Sequence, residues 1–238
     1  MVRDALRPHD ARDRVIVALD VPTLDEARNL VERLGDTVSF YKIGMQLVFA
    51  GGLKLLEELR DTGKKTFLDM KLLDIDNTVS GGVDNIAKLG VTFTTIHAYP
   101  KAMRAAVKVL PAEGPGLLAV TVLTSMDDAD VRAAGYSSGT ARLVEARATD
   151  AKAIGMDGIV CAPQEIVTVR KIVGPDMLIV TPGIRPTGAA SGDQKRVMSP
   201  AQAISAGADY LVIGRPVTAA ADPALAAAAI VEEIEAAL

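Results

Sequence analysis

The sequence predicts a single-domain α/β protein, a (β/α)₈ TIM barrel. Eight apolar strand-like runs alternate with eight helix-like segments, and most connections are short. No Gly-x-Gly-x-x-Gly follows the first run, so the usual mark of the rival doubly wound sheet is missing. With 49% apolar residues but only 3% aromatics, the chain suits helices packed on parallel strands better than a β-sandwich. A length of 238 residues fits one such barrel, and no inter-domain linker is visible. A polar segment, 1–13, precedes the barrel at 14–238.

The elements follow in order. Strand one is read at Arg14–Asp20, and Thr23 then caps a helix to Leu34, with Glu26 at the capping-box position. Strand two is Ser39–Ile43, with a helix over Met45–Thr62. Strand three is Lys65–Lys71, with a helix over Asn77–Leu89. Strand four is Val91–His97, with a helix over Lys101–Val109. After strand five, Leu117–Leu123, a longer polar connection leads to a helix at Thr140–Ile154. Strand six is Gly158–Cys161, and Pro163 opens a helix to Val173. Strand seven, Met177–Thr181, runs into a loop rich in Gly, Pro and polar residues, 183–198. Ser199 caps a helix to Ala206, strand eight is Tyr210–Ile213, and an Ala-rich surface helix closes the chain.

The polar residues gather at one point of the repeat. Asp20, Lys42, Asp69 with Lys71, and His97 fall at the ends of strands one to four. Thr124 and Ser125 follow strand five, Pro182 and Arg185 follow strand seven, and Gly214 and Arg215 follow strand eight. In a barrel these ends share one rim, where active sites sit. Side chains two apart on a strand share a face, so Asp69 and Lys71 are expected to point the same way. Asp20, Lys42, Asp69 and Lys71 sum to zero charge, so each can have an opposite neighbour, and such a set is expected to keep Lys71 in its ammonium form. Arg185, Gly214 and Arg215 stand where barrels often bind phosphate.

Several classes are excluded. A net charge of −4 argues against a nucleic-acid or membrane footprint. One cysteine, Cys161, cannot form an internal disulfide and reads as a small buried residue ending a strand. His9 and His97 are the only histidines, so a catalytic zinc is not expected, and His97 reads as structural. Asp127, Asp128 and Asp130 read as a solvated, helix-capping run. The N-terminus has no signal-like apolar stretch and no run spans a bilayer, so the expected compartment is the cytoplasm.

With these residues in view, the whole chain from Val15 onward resembles the orotidine 5'-phosphate decarboxylase family. The matching pieces are Ala18-Leu19-Asp20, Tyr41-Lys42-Ile43-Gly44, Asp69-Met70-Lys71-Leu72-Leu73-Asp74-Ile75 with Asn77-Thr78, and Val120 to Ser125. They continue with Thr181-Pro182-Gly183-Ile184-Arg185, Gly192 to Arg196, and Val212 to Arg215. The resemblance implies decarboxylation of orotidine 5'-monophosphate to UMP without cofactor or metal. It implies Lys71 as proton donor, Asp69 beside the substrate carboxylate, and Lys42 ordering the charges and touching the ribose that Asp20 also binds. Thr124 would contact the pyrimidine. Pro182, Arg185, Gln194, Gly214 and Arg215 would line the phosphate side, with Gln194 on a moving loop. Asp74, Ile75 and Thr78 would complete the neighbouring site of a homodimer. Asp76 departs from the family's usual Pro at that position. A metal-dependent sugar-phosphate decarboxylase or aldolase sharing Asp-x-Lys-x-x-Asp is the nearest alternative, and a non-catalytic nucleotide sensor is a second.

Overall fold

The computed structural model describes residues 3–186 and 197–238. Eight parallel strands close into one barrel in sequence order. They are β1 (Val15–Ala18), β2 (Phe40–Gly44), β3 (Lys65–Leu72), β4 (Phe93–His97), β5 (Gly116–Val120), β6 (Gly158–Val160), β7 (Leu178–Thr181) and β8 (Tyr210–Ile213). Closure is direct: Val15, Ile16 and Val17 of β1 pair with Leu211, Val212 and Ile213 of β8. The expected (β/α)₈ barrel is thus the observed fold.

Between β1 and β2 runs α1 (Leu24–Leu34), its first turn closed by Thr23 Oγ1, which accepts from the Glu26 N–H at 3.2 Å. The helix expected over Met45–Thr62 is broken into α2 (Met45–Leu47), a wide turn over Val48–Gly52, and α3 (Leu53–Asp61). Gly51 sits at φ 91°, a conformation that interrupts any continuous helix. Then come α4 (Asp76–Lys88) and α5 (Pro100–Val109). The polar connection after β5 contains α6 (Asp128–Ala133), capped by the reciprocal Asp127–Asp130 pair, before α7 (Thr140–Ile154). The last helices are α8 (Ile166–Val173), α9 (Pro200–Ser205), α10 (Arg215–Thr218) and α11 (Pro223–Glu235). Among the described residues no helix is long and apolar enough to cross a membrane.

Strand alternation sorts the core into two bodies. Outward residues such as Val17, Ile43, Leu68, Ile96, Leu117 and Ile213 pack under the helices. Inward residues Ile16, Phe40, Phe67, Phe93, Leu118, Leu178 and Tyr210 fill the barrel. Leu6, from the otherwise polar leader, plugs this inner cluster and is 6% exposed.

Candidate active site

The barrel opens at the carboxyl ends of its strands into a cleft of about 490 Å³. Asp20, Lys42, Asp69, Lys71, Thr124, Pro182, Arg185, Gly214 and Arg215 all line it, as strand-end position implies. Asp74, Ile75 and Thr78 do not. They are exposed on and just before the first turn of α4, outside their own chain's cleft. Gln194 lies outside the described residues.

Period two explains the placement. Phe40, Phe67 and Phe93 face inward near the barrel floor. Lys42, Asp69 and Thr95 stand two residues further along the same strands, so they enter the same interior one layer higher. Gly44 makes room beside them: a Cβ there would meet Asp20 Oδ1 at 3.0 Å and Lys42 Nζ at 3.1 Å.

The charges alternate along a row. Lys42 Nζ lies 2.9 Å from Asp20 Oδ1 and 3.5 Å from Asp69 Oδ2. Lys71 Nζ donates to both Asp69 oxygens at 2.9 Å. Burial opposes the charged forms of Lys42 and Asp69, but the partners win: Asp69 and Asp20 raise the Lys42 ammonium above its ordinary value, and Lys42 and Lys71 hold the Asp69 carboxyl below its own. Removing one member would leave a charge buried without compensation.

Lys71 arrives by a route that simple alternation does not describe. Its φ is +50°, the only positive value on a non-glycine residue among those described. For an L side chain this costs on the order of 1–2 kcal/mol. Between Leu68, paired with Thr94, and Leu72, paired with Ile96, β3 carries more residues than β4. Asp69 and Lys71 do meet, but across a strand irregularity rather than along a flat face.

Across the cleft, Arg185 is 9% exposed, with its N–H donating to Met198 O at 3.0 Å and Nη1 to Ile184 O at 2.8 Å. Arg215 begins α10, just after Gly214. Two guanidinium groups on one wall suit an anionic group with several oxygens. Cys161 is buried immediately after β6 and also lines the cleft. His97 turns to a smaller neighbouring cavity with Tyr99 and Arg147. Burial, and then Arg147 and Lys71, push its pKa below the ordinary value.

Thr95 went unread in the sequence. Its Oγ1 donates to Asp69 Oδ1 and accepts from the Lys71 N–H, both at 2.9 Å. Counting two residues on from Phe93, as from Phe40 and Phe67, is the signal that finds it. Asp76, the departure from the family pattern, is the first residue of α4. Asp and Pro both suit that position, one by the helix dipole and one by its fixed φ, so the exchange leaves the helix start intact.

A closed barrel with an alternating row of charges on one wall of its mouth, buried at Lys42 and Asp69, and two arginines on another defines a class: a barrel enzyme that acts on a small anionic substrate. The chain belongs to the orotidine 5'-phosphate decarboxylase / HUMPS family, whose pattern matches residues 13–230. It is 61% identical to an orotidine 5'-phosphate decarboxylase of Rhodopseudomonas palustris (strain BisB5) over 94% of this chain and 95% of the relative. With the enzyme of that name from Methylobacterium sp. (strain 4-46) it shares 60% identity, covering 95% and 98% of the two chains. The crystal structure of orotidine 5'-phosphate decarboxylase from Lactobacillus acidophilus superposes with a TM-score of 0.82 at 38% identity, covering 96% of this chain and 99% of that one.

Proposed function

We propose that the protein is a cytoplasmic homodimer that converts orotidine 5'-monophosphate to UMP and CO₂ without a cofactor, the last step of UMP synthesis. The observation that carries this reading is the Asp20–Lys42–Asp69–Lys71 row facing the arginines across one cleft.

In the reaction the bond from C6 to the carboxylate breaks, and its electron pair stays on C6 as CO₂ leaves. No ring orbital delocalises that pair, so the barrier falls only if positive charge is already in place. The Lys71 ammonium supplies it and then passes a proton to C6; water later restores that proton. Asp69 holds Lys71 from two oxygens, and Lys42 holds Asp69. Asp20 and Lys42 bind the ribose, and Thr124 meets the pyrimidine. Arg185, Arg215, Gly214 and Pro182, with Gln194, take the phosphate, whose binding energy helps close the site over the substrate.

The dimer follows from the same economy of charge. Lys71 keeps an open side, its side chain 27% exposed. Asp74 makes no ion pair among the described residues, and Ile75 beside it is 70% exposed. Asp74, Ile75 and Thr78 of one protomer then complete the other's cleft. Lys71→Ala and Asp74→Ala, each inactive alone, should regain activity when refolded as a mixture, because one site per mixed dimer is whole. Two inactive parents giving an inactive mixture, with mixed dimers present, would refute sharing.

A sugar-phosphate decarboxylase using Mg²⁺ would need Asp69 for the metal. Here Asp69 already accepts from Lys71 and Thr95 and faces Lys42, so cations occupy its surroundings. The deciding experiment follows the ultraviolet absorbance of orotidylate with the native protein. Loss of absorbance that EDTA does not slow is expected; an unchanged orotidylate signal, with CO₂ released from a keto-sugar acid phosphate only when Mg²⁺ is present, would overturn the reading.

A further inference from the structure

We propose that Thr95 is a positioning residue for this reaction: its single hydroxyl fixes the Asp69 carboxylate and the backbone of Lys71 together, and thereby aims the Lys71 ammonium. The inference rests on the role given to Lys71 above.

The hydrogen-bond polarity admits one arrangement. A carboxylate can only accept and a backbone N–H can only donate. Thr95 Oγ1, 2.9 Å from each, therefore gives its proton to Asp69 Oδ1 and receives that of Lys71. Thr95 is fully buried, so no bulk water stands ready to replace it.

Strand pairing explains why such a clamp is needed. The register pairs Gly44 of β2 with Asp69, and Leu72 of β3 with Ile96, but pairs neither Met70 nor Lys71 with a residue of either neighbouring strand. The Lys71 N–H thus leaves the ladder just where φ turns to +50°. Thr95, itself paired in β4 with Leu118 of β5, is on a part of the sheet that is regular. A rigid strand here holds an irregular one through a side chain. Asp69 Oδ1 is pinned from the same atom, which leaves Oδ2 toward Lys42 at 3.5 Å. Without the hydroxyl the carboxylate can rotate and the Lys71 backbone can relax toward negative φ, carrying Nζ away from the reacting carbon.

The test compares Thr95→Val, which keeps the shape and removes the hydroxyl, with Thr95→Ser, which keeps the hydroxyl. Misplacing a reacting group by an ångström can cost about 100-fold, so Thr95→Val should lower kcat by about 10- to 100-fold. KM should stay within about threefold, since the phosphate contacts that dominate binding are untouched. Thr95→Ser should restore kcat to within about threefold of native, as expected for a transition-state effect that the hydroxyl alone supplies. A role in packing alone would lower the melting temperature and leave this split unmoved. Native kcat in Thr95→Val, or an equal loss in Thr95→Ser, overturns the proposal. Should Thr95→Val fail to fold, Thr95→Ala against Thr95→Ser makes the same comparison. If the native protein leaves orotidylate untouched, the functional reading falls, and a crystal structure of Thr95→Val still decides this one. Lys71 Nζ displaced from Asp69 supports it, and an unmoved pair overturns it.

Discussion

The two ends of the barrel are made from the same strands by the same alternation. At the floor, Phe40, Phe67, Phe93 and Tyr210 meet ring to ring, with centroids 5.3 to 6.1 Å apart. Leu6 caps them, and its carbonyl accepts from the Tyr210 hydroxyl at 2.8 Å. Two residues higher on three of these strands stand Lys42, Asp69 and Thr95. One end excludes water with apolar volume; the other buries charge and spends stability holding it. The floor contains no positive φ on a side-chain-bearing residue, whereas the mouth holds Lys71. Strain sits where the chemistry is proposed, and the floor supplies the rigidity that tolerates it.

That contrast can be broken by substitution. The largest effect is expected at Asp69, the centre of the charged row. Asp69→Ala leaves Lys42 and Lys71 facing one another, so turnover should vanish and stability should fall by about 3–5 kcal/mol, the usual result of breaking a buried pair. Chemical denaturation checks this; a loss below about 1 kcal/mol would mean that the row is solvated. Next is the floor. Leu6→Ala should cost about 2–4 kcal/mol by leaving a cavity, while kcat per folded molecule stays native. A fall in kcat would show that the two ends are not independent.

Smaller is the effect at the wall of arginines proposed to hold the phosphate. If Arg215 makes the proposed contact, Arg215→Ala removes a charge-assisted hydrogen bond worth about 1.5–3 kcal/mol, or roughly 10- to 100-fold in kcat/KM for orotidylate. The phosphate-free nucleoside should lose far less, and equal losses would remove the assignment.

Smallest is the pH response. Asp69 is held below its ordinary 3.8, so its contribution is present above that pH and lost as pH falls through the folded value. Lys42 is held above its ordinary 10.5, so its contribution is present below that pH and lost as pH rises through the folded value. Neither changes near neutrality. His97 is held below its ordinary 6.5, so the unfolded chain takes up the proton first and stability drops slightly as pH falls below that value. Denaturation at pH 7 and pH 5 should show this drop in the native protein and less of it in His97→Phe; equal drops would assign it elsewhere.

Much of the molecule was legible because alternation is a local property. The end of each strand could be read from apolar runs, and a barrel gathers strand ends on one rim, so ten of the rim residues read from the sequence, Ser125 among them, line one cleft. Capping chemistry was equally local: Ser199 closes α9 and Asp127 closes α6. The break at Gly51 was local too, since Gly51-Gly52 is a breaker signal inside the helical pattern. Most of what stayed hidden depends on partners distant in sequence. Thr95 looks like an ordinary strand threonine until Asp69 stands beside it. The left-handed Lys71 arises from unequal strand lengths between β3 and β4, which no single segment displays. Leu6 lies in a polar leader, and only closure of the barrel gives it a place to insert.

The proposed role of Lys71 is tested most directly by one comparison: orotidylate turnover by native protein and by Lys71→Ala, with circular dichroism and thermal melting on both. Removing the proposed proton donor and its charge should suppress turnover by about 10³-fold or more while the fold persists. A folded Lys71→Ala protein that still releases CO₂ at a rate near native would contradict it.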